Sequence, residues 1–217
     1  MTSTHPVPPL PQPQPPAAAA QALTDAAQAA ARAWAQPLDS ARHQRAVSQL
    51  DSVLRDLGFA ARGLATWQVS GVPSGLLPRE FARHVTEAAR RLFDAWNCLD
   101  GVQAFEGFGP LPDPDEPGAV LCHAARNVIP AWRQPSGTSA DRDTTIRRFI
   151  TATGFLSAAT LGLATYAPRP HAIDFQAALA MLAETAADLS AAIPETADDT
   201  APGHRAGPPP DRPGARE

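Results

Sequence analysis

One short stretch of the chain carries residue types at a spacing that could do chemistry. Residues 79–84 read Arg-Glu-Phe-Ala-Arg-His, so Arg79 and His84 stand five positions apart. Glu80, His84 and Glu87 fall at i, i+4 and i+7, which places all three on one face of a helix. An imidazole and carboxylates on one helix face can hold a metal ion. His84 is therefore the centre of one enzymatic hypothesis, a helical enzyme that uses a metal.

The segment from Arg79 to His84 resembles the signature of HEPN-type helical ribonucleases. In that family an Arg and a His lie together on one helix, and the resemblance implies that these two residues act on a phosphodiester of RNA. The resemblance covers six residues, and Glu80 stands where the family usually has a small polar residue. Because the chain has 18 arginines and 6 histidines, such a pair arises readily by chance. We interpret the segment as a solvated helix face, on which Glu87 and Arg91, four residues apart, form an ordinary surface ion pair.

The two cysteines, Cys98 and Cys122, are the other candidate ligands. Together with His123 they provide three ligands, one fewer than a structural zinc site needs, and they form no C-x-x-C spacing. The chain also lacks a phosphate-binding loop, which needs a Lys, and a nucleophile elbow. The sequence therefore assigns no catalytic, metal-binding or cofactor-binding residue, and it implies no cofactor.

An aromatic loop is the most unusual feature of the sequence. Residues 101–118 are rich in Gly and Pro, yet they contain Phe105, Phe108 and Leu111. A loop of this composition seldom needs large apolar side chains for itself. Either these residues close one end of the fold, or they present an apolar surface to a protein partner. We favour closure, and we retain Phe105, Phe108 and Leu111 as a candidate interaction loop.

Helices must position all of these residues, because helical periodicity dominates the chain. Three segments, 47–64, 81–99 and 175–193, have apolar residues at alternating steps of three and four, the spacing of a heptad seam. The third seam consists of Phe175, Leu179, Leu182, Ala186, Leu189 and Ile193. The helix that contains the first seam should start at Asp39 or Ser40, which are both favoured N-cap residues. A short helix is predicted over residues 119–129. Residues 17–36 predict an Ala-rich helix that packs weakly, since its only large apolar side chains are Leu23 and Trp34.

The longest predicted helix, residues 139–167, has no charge from Phe149 to Ala167. That length is close to what a membrane span needs. Its Thr, Ser and Gly residues lower its hydropathy, however, and the amphipathic helices need an apolar partner. We therefore favour a buried central helix over a membrane span.

These elements predict an all-α fold, an antiparallel helical bundle of five to six helices. We divide the chain into a disordered Pro-rich arm (residues 1–16), the weak Ala-rich helix (17–36), the bundle domain (37–193) and a disordered tail (194–217). The arm has no basic segment before an apolar core, so it does not resemble a secretory signal. This predicts a cytoplasmic protein.

The function suggested by this organisation is protein–protein association, either with an unknown partner or by self-association. A net charge of −4 argues against a protein that mainly binds nucleic acid. One alternative is a regulatory bundle that binds a small molecule in a pocket among Trp67, Phe81, Trp96 and Trp132. The other alternative is the metal- or RNA-acting enzyme centred on His84.

Overall fold

Six α-helices form the part of the protein that the structure describes. The structure, a computed structural model, describes residues 14–70, 78–100, 113–167 and 171–193. The helices are α1 (Pro16–Trp34), α2 (Ser40–Leu64), α3 (Pro78–Asp100), α4 (Pro117–Trp132), α5 (Ser139–Thr165) and α6 (Ala172–Ala191). The predicted all-α bundle is confirmed, but it is not antiparallel throughout, because two pairs of packed helices run in the same direction. Residues 1–13 of the arm predicted at 1–16 lie outside the described residues, as does the tail predicted at 194–217. The arm was predicted to extend too far, because α1 begins at Pro16, where a proline is tolerated in the first turn of a helix.

The helices form a closed ring in which each helix packs along two others. The order around the ring is α1, α5, α6, α3, α2, α4 and back to α1. Only α2–α3 and α5–α6 are neighbours both in the ring and in the sequence. The helices α1 and α5 run in the same direction, because Ala17 contacts Arg148 near their starts and Trp34 lies against Gly162 near their ends. Contacts between distant segments therefore hold the ring together.

The helices α2 and α4 also run in the same direction, with Gln49 beside Gly118 and Gly63 beside Trp132. Because both helices end at the same place, the segments that follow them lie side by side. Strands β1 (Gln68–Val69) and β2 (Ser136–Gly137) pair there in parallel. The sequence did not predict this two-residue pairing, because strands this short show no alternation.

The Ala-rich helix α1 packs more closely than its composition predicted. It shares the hydrophobic core with the other five helices, and Leu23 and Trp34 are both buried. The buried alanines of α1 are Ala19, Ala20, Ala26, Ala27, Ala30 and Ala31. Small side chains allow α1 to lie close to α4 and α5. The helix is therefore well packed although it has few large apolar side chains. Whether residues 37–193 are stable without α1 stays a prediction.

The heptad seams of α2 and α3 are buried at every position that the sequence predicted, from Val47 to Leu64 and from Phe81 to Leu99. The seam of α6 differs at alternate positions. Phe175, Leu182 and Leu189 are buried as predicted, but Ala178, Thr185 and Ala192 are buried where Leu179, Ala186 and Ile193 were expected. Leu179, Ala186 and Ile193 are half-buried. Because α6 packs against both α3 and α5, its buried side is rotated slightly from the one that the apolar pattern predicts, and every second buried position comes one residue earlier.

The sequence predicted that α5 is a central helix covered on all sides, and this prediction is wrong. It packs mainly against α1 and α6, and its remaining side is exposed. We call the uncharged part of this exposed stripe the α5 face; it consists of Thr151, Gly154, Ala158, Leu161 and Thr165, and the exposed Arg147 continues the stripe one turn earlier. Among the residues that the structure describes, no helix is both long and apolar enough to cross a membrane.

Two glycines of α5 should respond in opposite ways to the same substitution. At Gly162 a Cβ would stand 2.5 Å from the backbone oxygen of Trp34, whereas at Gly154 it would meet nothing within 4 Å. We expect Gly162→Ala to lower the free energy of unfolding by about 1–3 kcal/mol, because the helices must move apart. Gly154→Ala should raise it by about 0.5–1 kcal/mol through helix propensity.

Urea unfolding of dilute protein, followed by circular dichroism, measures both changes. The two variants are matched, since they make the same substitution in one helix. Equal effects at the two positions would contradict the close crossing of α1 and α5 at Gly162.

Candidate functional site

His84 lies on α3, where its surroundings are arginines. Its Nε2 lies 3.3 Å from an Nη atom of Arg83, and Arg79 and Glu80 are exposed on the same helix. Glu87, the second carboxylate of the predicted cluster, accepts a hydrogen bond from Arg90 at 2.9 Å. Within the described residues, no three His, Cys, Asp or Glu side chains come together closely enough to hold a metal ion. Nothing in this geometry supports the enzymatic hypothesis.

The acidic residues of α6 do meet α3, but they meet an arginine. Arg91 lies 2.7 Å from a carboxylate oxygen of Glu184 and 4.0 Å from one of Asp188. From the sequence we expected Arg91 to pair with Glu87, four residues earlier on α3. The ring instead places α6 beside α3, so Arg91 joins two helices. These ion pairs have a structural role.

Both cysteines are free thiols on separate helices, Cys98 on α3 and Cys122 on α4. Burial raises the pKa of Cys98, and it raises the pKa of Cys122 to about 11. Both are therefore protonated near neutral pH. Since the thiolate is the nucleophile and the metal ligand, neither cysteine is activated for chemistry.

The four aromatic residues proposed to surround a pocket line neither of the two cavities described below. Trp132 and Phe81 are buried in the core, as is Trp67. Trp96 is half-buried and packs edge-on against Phe93 on the outer side of α3, with 6.4 Å between ring centroids. The rings of Trp67, Phe81 and Trp132 therefore pack against other core side chains, which leaves no space for a ligand between them.

The candidate interaction loop formed by Phe105, Phe108 and Leu111 lies outside the described residues, which resume at Asp113. Its two interpretations stay predictions. Phe93, on α3 a few residues before this loop, is among the described residues. Its ring packs edge-on against Phe59, with 5.1 Å between centroids, and lies 4.6 Å beneath the guanidinium of Arg62. Phe59 is 52% exposed. This part of the α2–α3 surface therefore presents some aromatic surface to solvent.

A cavity of about 510 Å³ opens between α2 and α4. We call it the α2–α4 cavity; its lining includes Arg45, Ser48, Gln49, Ser52, His123 and Arg126. Gln49 is only 8% exposed, and neither of its carboxamide atoms has a hydrogen-bond partner among the described residues. A buried amide without a partner is destabilising. The sequence did not predict this cavity, because α2 and α4 are far apart in the chain.

A second cavity, of about 590 Å³, lies where the start of α1 meets the end of α4. Its lining includes Pro15, Pro130, Arg133 and Pro135. Beside it, the indole Nε1 of Trp132 donates a hydrogen bond to the carbonyl oxygen of Pro16 at 3.1 Å. Gln14, Gln134 and Ser136 also line this cavity, but among the described residues no buried polar atom that lacks a hydrogen-bond partner lines it.

Comparison of the chain with protein-family models, with curated proteins and with solved structures found no match. The geometry of the molecule is therefore the basis on which a function can be proposed.

The α5 face differs from the rest of the surface in its lack of charge. None of its five residues is charged, and Leu161 is 58% exposed. The flanking helices α1 and α6 expose several alanines and also three charged residues, Asp25, Arg32 and Glu184. The helix α3 exposes Arg79, Glu80, Arg83 and Arg90. The uncharged stretch from 149 to 167 was visible in the sequence, but its exposure was not.

Proposed function

We propose that the protein acts by protein–protein association, and that it self-associates through the α5 face. The observation that carries this proposal is Gly154. At the other four glycines within the described helices, a Cβ would stand within 3 Å of another part of the protein; they are Gly58, Gly63, Gly118 and Gly162. At Gly154 there is nothing within 4 Å.

Gly154 is costly to the isolated chain. A glycine inside a helix destabilises it by roughly 1 kcal/mol relative to alanine. At Gly162 the crossing with α1 accounts for this cost, because there is no room for a Cβ. No contact within the described residues accounts for it at Gly154. A close approach by another helix would, because glycine lets a second backbone come near.

A second copy of the chain is the occupant that fits this surface best. The α5 face has no charge to attract a charged partner, and burying a charge against it would cost desolvation without compensation. A face of uncharged residues can pack on itself about a two-fold axis, because no like charges within it are opposed. Ala158 and Leu161 extend the contact from Gly154 along the helix.

We also propose that the protein works in the cytoplasm. The support for this is that Cys98 and Cys122 are both free thiols. Free thiols persist in reducing compartments, whereas oxidising compartments favour disulfides.

Sedimentation of the full chain over a range of concentrations tests the self-association. We expect the mass to rise from that of the 22.8 kDa chain towards twice that value as the concentration increases. Gly154→Arg should keep the protein monomeric over the same range, because it adds bulk and charge to the contact. It should leave the melting temperature of dilute protein nearly unchanged, since the position is open.

Thr86→Arg is the matched control, because it adds the same side chain to an exposed position on α3. This variant should associate as the unmodified chain does. Self-association through the α5 face is refuted if the unmodified chain stays monomeric throughout, or if Gly154→Arg still dimerises.

A further inference from the structure

We propose that the α2–α4 cavity is a binding site for a small oxyanion, such as a phosphate or carboxylate group. This site lies away from the α5 face and is independent of self-association. Three features of the cavity support it, namely the unpartnered amide of Gln49, the cationic lining and the free first turn of α4.

Gln49 is the polar group that most needs a ligand. Its side chain is more than nine-tenths buried, and both its nitrogen and its oxygen lack a hydrogen-bond partner among the described residues. The Oε1 atom of its carboxamide occupies the space in which a Cβ at Gly118 would stand, so the carboxamide lies against the first turn of α4. A bound oxyanion would accept a hydrogen bond from the amide nitrogen and satisfy that buried donor.

The charged residues in the lining are cationic. Arg45 and Arg126 line the cavity together with His123, and no carboxylate of the described residues does. Each arginine has a carboxylate beside it, with Glu116 3.5 Å from Arg45 and Asp56 3.7 Å from Arg126. Both distances exceed the roughly 2.7–3.2 Å of a good hydrogen bond. Each arginine therefore keeps N–H donors that can bind an oxyanion.

The first turn of α4 adds backbone donors to the same place. Glu116 precedes the helix without capping it through its side chain, and Pro117 has no N–H. The amides of Gly118 and Ala119 belong to the first turn, where N–H groups have no partner within the helix. Ala119 lines the cavity. These donors and the positive end of the helix dipole favour an anion there.

The remaining wall of the cavity is unreactive. The thiol of Cys122 lies 3.5 Å from the carbonyl oxygen of Gln49, and burial raises its pKa to about 11. It is neutral near pH 7 and is no nucleophile towards a bound anion. Ser48 and Ser52 contribute hydroxyl groups that can donate to the ligand. The geometry therefore points to binding rather than to catalysis.

Nuclear magnetic resonance of the isotope-labelled full chain tests this site with inorganic phosphate as the probe, at constant ionic strength. We expect saturable shifts of the backbone amides of Gly118 and Ala119 and of the side-chain amide of Gln49. Acetate in a parallel titration shows whether a carboxylate binds too, and saturation by either anion supports the site. Linear shifts, or the same response to chloride, would overturn it.

Three variants show whether the cavity residues carry the binding. Arg126→Gln should weaken the tighter of the two anions roughly tenfold, because it removes a charge-assisted hydrogen bond. The residue is 66% exposed in its side chain, so the protein should still fold. Gln49→Met should also weaken binding, and its melting curve checks that the core is intact. Arg32→Gln, an exposed change on α1, should have no effect. Unchanged affinity in Arg126→Gln would refute the proposal.

Discussion

Trp132→Ala should lower the free energy of unfolding by about 3–5 kcal/mol, the usual cost of truncating a buried tryptophan. Trp132 is fully buried at the end of α4, and its ring lies 4.9 Å from that of Phe149 on α5. Its indole nitrogen also donates a hydrogen bond to Pro16 at the start of α1. One side chain thus joins three helices. Because a domain has only about 5–15 kcal/mol of stability, we expect a large fall in the urea midpoint.

Trp132→Phe separates the packing of this residue from its hydrogen bond. Phenylalanine retains much of the apolar volume but cannot donate to Pro16. We expect it to lose less stability than Trp132→Ala, with about 0.5–1.5 kcal/mol of the loss due to the missing hydrogen bond. If Trp132→Ala unfolded at the same urea concentration as the unmodified protein, this would contradict the packing of α1, α4 and α5 around Trp132.

Leu54→Ala and Leu182→Ala should each lower the free energy of unfolding by about 2–5 kcal/mol, through lost burial and the cavity that remains. Leu54 lies mid-helix in the seam of α2, and Leu182 lies mid-helix in the seam of α6. Both are fully buried. The two positions test the seams on separate helices, and urea unfolding measures each change.

Leu161→Ala is the matched control, since it makes the same truncation on the exposed α5 face. In dilute protein we expect its effect to stay within about 0.5 kcal/mol. A loss at Leu161 as large as that at Leu54 would mean that α5 is covered on this side within the monomer. No loss at Leu54 or Leu182 would contradict the seam to which that residue belongs.

The pairing of charged residues shows the limit of what helical spacing predicts. Spacing places Glu87 and Arg91 within reach of each other along α3, and that pairing was expected. In the structure Glu87 instead pairs with Arg90, and Arg91 contacts Glu184 on α6. A long, flexible arginine takes the best partner available in space, and the sequence does not show which helix will lie alongside.

The sequence by itself determined the helices and most of their buried sides. The period of three and four residues in 47–64 and 81–99 reflects which side chains must leave water, a local property of each helix. The start of α2 was equally local, because Asp39 accepts a hydrogen bond from the amide of Arg42.

Only the tertiary structure decided how the helices pack together. The burial of α1 depends on alanines that fit closely against α4 and α5, which no count of large side chains reveals. The exposure of the α5 face depends on which helices flank α5, and the α2–α4 cavity depends on two segments distant in sequence. Periodicity records that one side of a helix avoids water, but not which neighbour covers that side. The α5 face and the α2–α4 cavity are the two surfaces at which we propose binding, and other described residues leave both of them open to solvent.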